Sequence, residues 1–333
     1  MNNNLPLLFL LLLAVCSCRS GKKDRPAGYQ VVDIEFSADS AYEYCSRQCD
    51  FGPRTMNSSA HEQCLEWIAS QFTAFGYSVE LQKAALKGYD GTTLNSTNII
   101  ATAAALAGGD SLATQPRILV CAHWDSRPWA DNDADSANWR KPVMAANDGA
   151  SGVAVMLELA RLLGQHDSAS YAVDFICFDA EDWGVPQWSD ISAADSWALG
   201  AQHWAAGIDR QAAARYEFGI LLDMVGGQGA HFYREGFSMK YASRVVDQIW
   251  KAAATCGYGS IFLNQEGGWI TDDHVPVNET ARIPCVDIIS HYPDCESSNF
   301  GPTWHTVSDD MQHIDKNTLA AVGQTLVQLI FQK

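Results

Sequence analysis

Basic residues are scarce in this chain: 22 Lys and Arg stand against 39 Asp and Glu, for a formal net charge of −17. Phosphate binding needs a Lys/Arg surface, so the shortage argues against a nucleic-acid partner. Apolar runs are equally scarce. The one at the start, Leu5 to Val15, is too short to cross a bilayer comfortably, and no later stretch is long enough. There is no internal repeat and no low-complexity tract. Nor is there a second cysteine pair that would turn Cys45 and Cys49 into a zinc signature. What is present is globular: 47% hydrophobic and 18% charged residues, with 11 Trp in 333 residues, enough for a sizeable core. The acidity has two readings, plain solubility or carboxylates that hold cations.

The N-terminal apolar run lacks the usual Lys or Arg before it but otherwise suits a signal-peptide core. It ends in Val15-Cys16-Ser17-Cys18, which resembles a bacterial lipoprotein box with Cys18 as the acylated residue; a plain secretory signal is the alternative. This predicts a lipoprotein signal over 1–18, a polar linker over 19–28 and one domain over 29–333. It places the protein in the bacterial cell envelope, facing the periplasm or the outer surface, with a lipid anchor as its sole membrane contact. Eight cysteines follow Cys18. Export permits disulfides, and Cys285 with Cys295, or Cys45 with a neighbour, are candidate pairs. Cys121 and Cys177 sit in apolar runs and read as buried thiols.

Beyond the linker, Ala41 to Cys49 and Ala60 to Phe75 have helical periodicity. Strand-like runs then alternate with helical ones. The strands are Thr97 to Ala101, Arg117 to Ala122, Ala172 to Phe178, Phe218 to Met224 and Pro284 to Ser290. The helices are Ser151 to Leu163, Trp197 to Ala206, Tyr241 to Cys256 and Thr318 to Phe331. Continuously apolar strands are buried on both faces, which predicts an α/β fold of three layers: a mixed, mostly parallel central sheet flanked by helices.

Polar groups cluster where these strands end. His123 and Asp125 follow the second run, Asn147-Asp148-Gly149 precedes a helix, and Glu181-Asp182 closes the third run. Asp223 closes the fourth, and Trp304-His305-Thr306 follows the fifth. Parallel strands put their C-terminal ends on one rim, where open α/β sheets bind ligands. Each residue alone has a bland explanation: His123 as a surface residue, Asp148 as a helix cap, Glu181-Asp182 as a solvated turn. Together they would repel unless a cation sat among them, and imidazole with carboxylate suits Zn²⁺.

The same order resembles the zinc aminopeptidase family and its sister family, the glutaminyl cyclases, over roughly His123 to Val307. The resemblance implies Asp148, Asp182 and His305 as ligands of the catalytic zinc and Glu181 as the general base. It implies His123 and Asp223 as ligands of a second zinc in di-zinc members, or as neighbours of the site otherwise. Asp182 departs from the pattern, since many relatives have Glu there.

Several stretches lean toward the cyclases: Trp304 before His305, Asp272-Asp273-His274-Val275-Pro276, and Trp188-Ser189 followed by Asp195 to Gly200. Asp125 to Asp131 looks like the bacterial members. Aminopeptidases usually have Ser at the position of Asp272. A carboxylate there would share a proton with Asp223, because two anions in contact cannot both ionise cheaply. The implied activity is cyclisation of N-terminal glutamine to pyroglutamate with loss of ammonia, on peptide or protein substrates. One zinc would act as Lewis acid, Glu181 would carry the proton, and Asp223 and Asp272 would orient the substrate. Trp304, Trp188 and Trp269 are the candidate substrate-packing residues, with core or interface roles as the plain alternative. A di-zinc aminopeptidase is the competing enzyme, and a non-catalytic binding protein is disfavoured because Glu181 and every ligand position are filled.

Overall fold

A computed structural model describes residues 30–103, 115–193 and 195–332. The predicted signal, the linker and Cys18 lie outside the described residues. The central sheet has six strands in the order β1-β2-β4-β3-β5-β8. They are β1 (Tyr77–Lys87), β2 (Thr93–Ala103), β3 (Arg117–His123), β4 (Ala172–Phe178), β5 (Tyr216–Asp223) and β8 (Cys285–Ile289). The four strands β4, β3, β5 and β8 run parallel, while β1 and β2 add on antiparallel. A small parallel pair, β6 (Phe232–Arg234) with β7 (Phe262–Glu266), stands apart.

Every residue of β3 and β4 is buried, as continuous apolar runs require. Alternate side chains of β3 serve different layers. Ile118, Val120 and Ala122 pack with α1 (Ala38–Asp50), α2 (Ser59–Ala74), α3 (Ser151–Leu163) and the last helix. Leu119 and Cys121 instead meet a smaller cluster that includes Ala201 and Trp204 of α4 (Leu199–Gly207). After α5 (Arg210–Ala213), α6 (Gly236–Cys256) joins the larger layer and α7 (His274–Glu279) the smaller. α8 (Lys316–Phe331) closes the larger layer. Burying each such aliphatic side chain contributes roughly 1.5–3 kcal/mol. Ser37, Ser58, Glu235 and Asp315 cap helix N-termini with side-chain oxygens, and Gly257, at φ 98°, ends α6.

The structure differs from the sequence expectation at the sheet edge and in the cysteines. β1 is a half-exposed edge strand with Glu80, Gln82 and Lys83 in it, so it carries no continuous apolar run. It pairs with β2 through all 11 residues, closed by a turn in which Gly91 has φ 82°. β6, β7 and α7 are too short for periodicity to reveal. None of the eight cysteines is bridged. Cys285 is buried against Gly219 of β5, while Cys295 lies outside the sheet, so the two do not pair.

Candidate active site

The residues expected at one rim are brought together there. His123 ends β3, Asp223 ends β5, Glu181 and Asp182 follow β4, and His305 lies in the loop after β8. Four non-glycine residues beside these groups take left-handed backbone: Ala145 (φ 57°), Ala180 (φ 55°), Met224 (φ 47°) and His305 itself (φ 53°). Such conformations cost roughly 1–3 kcal/mol each and concentrate at functional sites.

Asp148 lies in an irregular turn, 146–150, where its own φ/ψ is −97°/81°. The helix that follows starts on Ala150 with no side-chain cap, so Asp148 is not a capping residue. Asp309, not named by the sequence, takes the amide protons of Asn147 (2.8 Å) and Asp148 (3.1 Å) and fixes this turn. Gly149 is required by close approach: a Cβ there would lie 2.7 Å from the His123 ring. The Asp125 carboxylate accepts both amides of Glu181 (3.1 Å) and Asp182 (3.2 Å), which aims the paired acids. Buried Arg54 donates to the carbonyls of Trp124, Met144 and Ala145, tying two of these loops together.

Asp148 is shared by two compact donor sets, Asp148-Asp182-His305 and His123-Asp148-Asp223, with all ligand atoms of each set within 4.8 Å. In the first, His305 Nε2 lies 3.1 Å from Asp182 Oδ1 and 3.5 Å from Asp148 Oδ2. In the second, His123 Nε2 lies 3.0 Å from Asp148 Oδ1 and 3.3 Å from Asp223 Oδ1. Both oxygens of Asp182 and Oδ1 of Asp223 are buried without an aligned hydrogen-bond donor. Buried anionic oxygens of that kind, three or so ångströms from imidazole nitrogen, fit a tetrahedral zinc.

Asp272 and Asp223 line the same cavity. Burial first, then the Asp223 charge, pushes the Asp272 carboxyl well above its usual range. Burial and the Asp182 charge do the same to Glu181. Burial works against charge on His123, but Asp125, Asp148 and Asp223 outweigh it and raise its pKa. A third cluster, Asp272-His274-Asp287, extends the acidic region inward.

These groups open into a cavity of about 240 Å³, lined by Asp148, Glu181, Asp223, Asp272, Trp304 and His305 among others. Among the described residues no Lys or Arg lines it. Trp304 stacks on His305 with centroids 3.8 Å apart. Trp188 and Trp269 do not line the cavity. Trp188 stacks with Trp139 under the Arg140 guanidinium, and Trp269, 65% exposed, packs edge-on against Phe237. Trp197 takes a wall that the sequence reading assigned to a helix: it lines the cavity and lies parallel to His305 at 6.0 Å. Its proximity to Asp195 and Ser196 marked the stretch, but nothing marked the ring.

The profile of peptidase family M28 matches residues 98–330. The chain belongs to peptidase family M28. Among solved M28-like structures, glutaminyl cyclase from Bacteroides thetaiotaomicron, bound to N-acetylhistamine, is 44% identical over 90% of this chain and 98% of its own, with TM-score 0.82. Glutaminyl cyclase from Tannerella forsythia is also 44% identical, over 90% and 99%, with TM-score 0.83. A Zn-dependent exopeptidase from Parabacteroides distasonis is 42% identical over 90% and 99%, with TM-score 0.83. An aminopeptidase of Bacillus subtilis is 29% identical over 222 residues, 65% of this chain, and the chain spans only 40% of its length. M28 membership and the donor set together indicate zinc.

Proposed function

We infer that this M28 protein is a zinc-dependent glutaminyl cyclase, converting N-terminal glutamine of peptides to pyroglutamate with release of ammonia. The observation that carries the reading is a further carboxylate, Asp272, lining with Asp223 and Glu181 a small cavity that, among the described residues, no Lys or Arg lines. Such a cavity welcomes an α-amine and one side chain and offers no counter-ion to a free α-carboxylate. Similarity to cyclases at 44% identity supports it.

Asp148, Asp182 and His305 would hold zinc, which supplies Lewis-acid polarisation of the glutamine side-chain amide. The walls of Trp304, Trp197 and Ile270 fold the side chain back on its own amine, so attack is intramolecular and proximity supplies much of the rate. The C–N bond of the lactam forms as the amine nitrogen attacks the amide carbon. Glu181 takes one proton from that nitrogen and returns it to the departing amide nitrogen, which leaves as ammonia. Asp223 and Asp272 orient the amine and amide N–H groups. One zinc is the stoichiometry this reading requires.

A second reading has a specific observation behind it: His123-Asp148-Asp223 is as compact as the first set, as a di-zinc aminopeptidase would need. Product analysis on a Gln-initiated peptide separates them. Ammonia and a pyroglutamyl peptide support the cyclase, and free glutamine supports the peptidase. Placement in the cell envelope through an acylated Cys18 is also part of the proposal, supported by the Val-Cys-Ser-Cys sequence. Unchanged membrane fractionation of Cys18→Ser would contradict it.

A further inference from the structure

The run Asp125 to Asp131 contains a charged pair that the reaction above does not use. Arg127 is 1% exposed, and its guanidinium spends its donors on a few fixed targets. Nε and Nη2 reach the two oxygens of Asp131 at 3.1 and 2.7 Å, and Nη1 reaches the carbonyls of Asp182 and Gly184, both at 3.0 Å. The rings of Trp197 and Trp129 lie 4.6 and 5.2 Å from its central carbon. Asp131 has a further partner: its Oδ1 lies 3.4 Å from Nδ1 of His305. Its Oδ2 also accepts the amide of Gln187 at 3.0 Å.

These contacts fall on two of the three zinc-binding candidates. A carboxylate at Nδ1 keeps the proton there and leaves Nε2 as the lone-pair nitrogen facing Asp148 and Asp182. The fork geometry of Arg127 fixes the Asp131 carboxylate in plane, which a point-like ammonium could not do. The same guanidinium holds the Asp182 backbone. His305 sits in left-handed backbone with Trp304 on one ring face. Its orientation therefore depends on side-chain contacts more than on regular secondary structure.

We propose that Arg127 and Asp131 are a positioning pair that sets the tautomer and ring orientation of His305 and the placement of Asp182, and thereby the zinc affinity of the site. The proposal rests on the Asp148-Asp182-His305 reading of the metal centre.

Zinc dissociation constants of the full chain, measured by competition with a chromophoric chelator, test it. Asp131→Asn should bind zinc about 10-fold more weakly and Asp131→Ala up to about 100-fold, the usual range for groups that orient ligands. Arg127→Lys should fall between wild type and Asp131→Ala. Removing one partner of a buried ion pair lowers stability, so the melting temperature of each chelator-treated chain is measured alongside. Zinc affinity should fall in Asp131→Asn by more than in a comparison variant equally destabilised away from the site. Unchanged zinc affinity in Asp131→Asn overturns the pair alone. So does an affinity loss that merely tracks a lower metal-free melting temperature. If the variants do not fold, the zinc-loaded wild type decides through ¹⁵N-histidine NMR: a slowly exchanging proton on Nδ1 of His305 supports the pair, and metal at Nδ1 or a fast-exchanging proton overturns it. A wild-type chain that binds no zinc overturns the metal centre and the pair with it.

Discussion

The two donor sets that share Asp148 are backed by opposite chemistry. Behind His305 and Asp182 stands a buried guanidinium, Arg127, with Trp197 and Trp304 against the imidazole. Behind His123 and Asp223 stand more acids: Asp272, Asp273 and Asp287, each pushed well above the usual carboxylate range, first by burial. The Asp182 carboxyl is held below its usual range against the opposing effect of burial, by His305 and then by Arg127, itself paired with Asp131. An acidic second layer favours shared protons over further anions. The same ligand types thus suit a cation on one side and protons on the other. On the proposed reading, that asymmetry favours one zinc over two.

Removing a ligand on the first side should have the largest effect. His305→Ala or Asp148→Ala should abolish both zinc retention, read by metal analysis after dialysis, and turnover. Glu181→Gln should keep zinc and fold while losing turnover by about 10²- to 10⁴-fold, the scale of a general acid/base. Near-normal kcat in that variant would remove Glu181 from the mechanism.

On the second side, Asp272→Ser probes the asymmetry itself. Losing a hydrogen bond to a charged group is worth roughly 1.5–3 kcal/mol, so cyclisation should slow by about 10- to 100-fold. Without the neighbouring Asp272 carboxyl, Asp223 should then accept metal, and zinc content should rise above one per chain. A variant that still holds one zinc and cyclises normally breaks the comparison.

The smallest effect concerns pH and sits deeper in the acidic side. Glu235 caps α6, contacts His274 Nε2 at 3.2 Å and has its pKa lowered to about 2 from 4.5. Burial opposes that shift, and His274 and the helix amides outweigh it. A depressed carboxylate contributes stability that is fully present above its unfolded pKa and is lost as pH falls through the folded one. Melting temperature should therefore drop between about pH 4.5 and 2 in the wild type, and this part of the drop should vanish in Glu235→Gln. An unchanged acid limb would show that Glu235 is not the titrating group.

Much of this asymmetry was half legible in the sequence. His123, Asp148, Glu181, Asp182, Asp223 and His305 stand out because strand ends in a parallel sheet converge, so linear order carries spatial information. The pairing of Asp272 with Asp223 came from a resemblance rather than from periodicity, and the two line one cavity. Asp309, Arg54 and the roles of Arg127 and Asp131 were not legible, because a buried side chain in a loop reaches its partners through tertiary contacts that no period encodes. The tryptophans show the same limit. Composition marks them as valuable, but Trp188 and Trp269 pack outside the cavity while Trp197 lines it. β1 was missed because an edge strand in water needs only one apolar face, and its polar alternation resembles a loop.

Zinc stoichiometry measured together with product on a Gln-initiated peptide tests the asymmetry most directly. The wild-type chain should hold one zinc and yield ammonia with a pyroglutamyl peptide. Two tightly held zincs per chain, with free glutamine released, would contradict it.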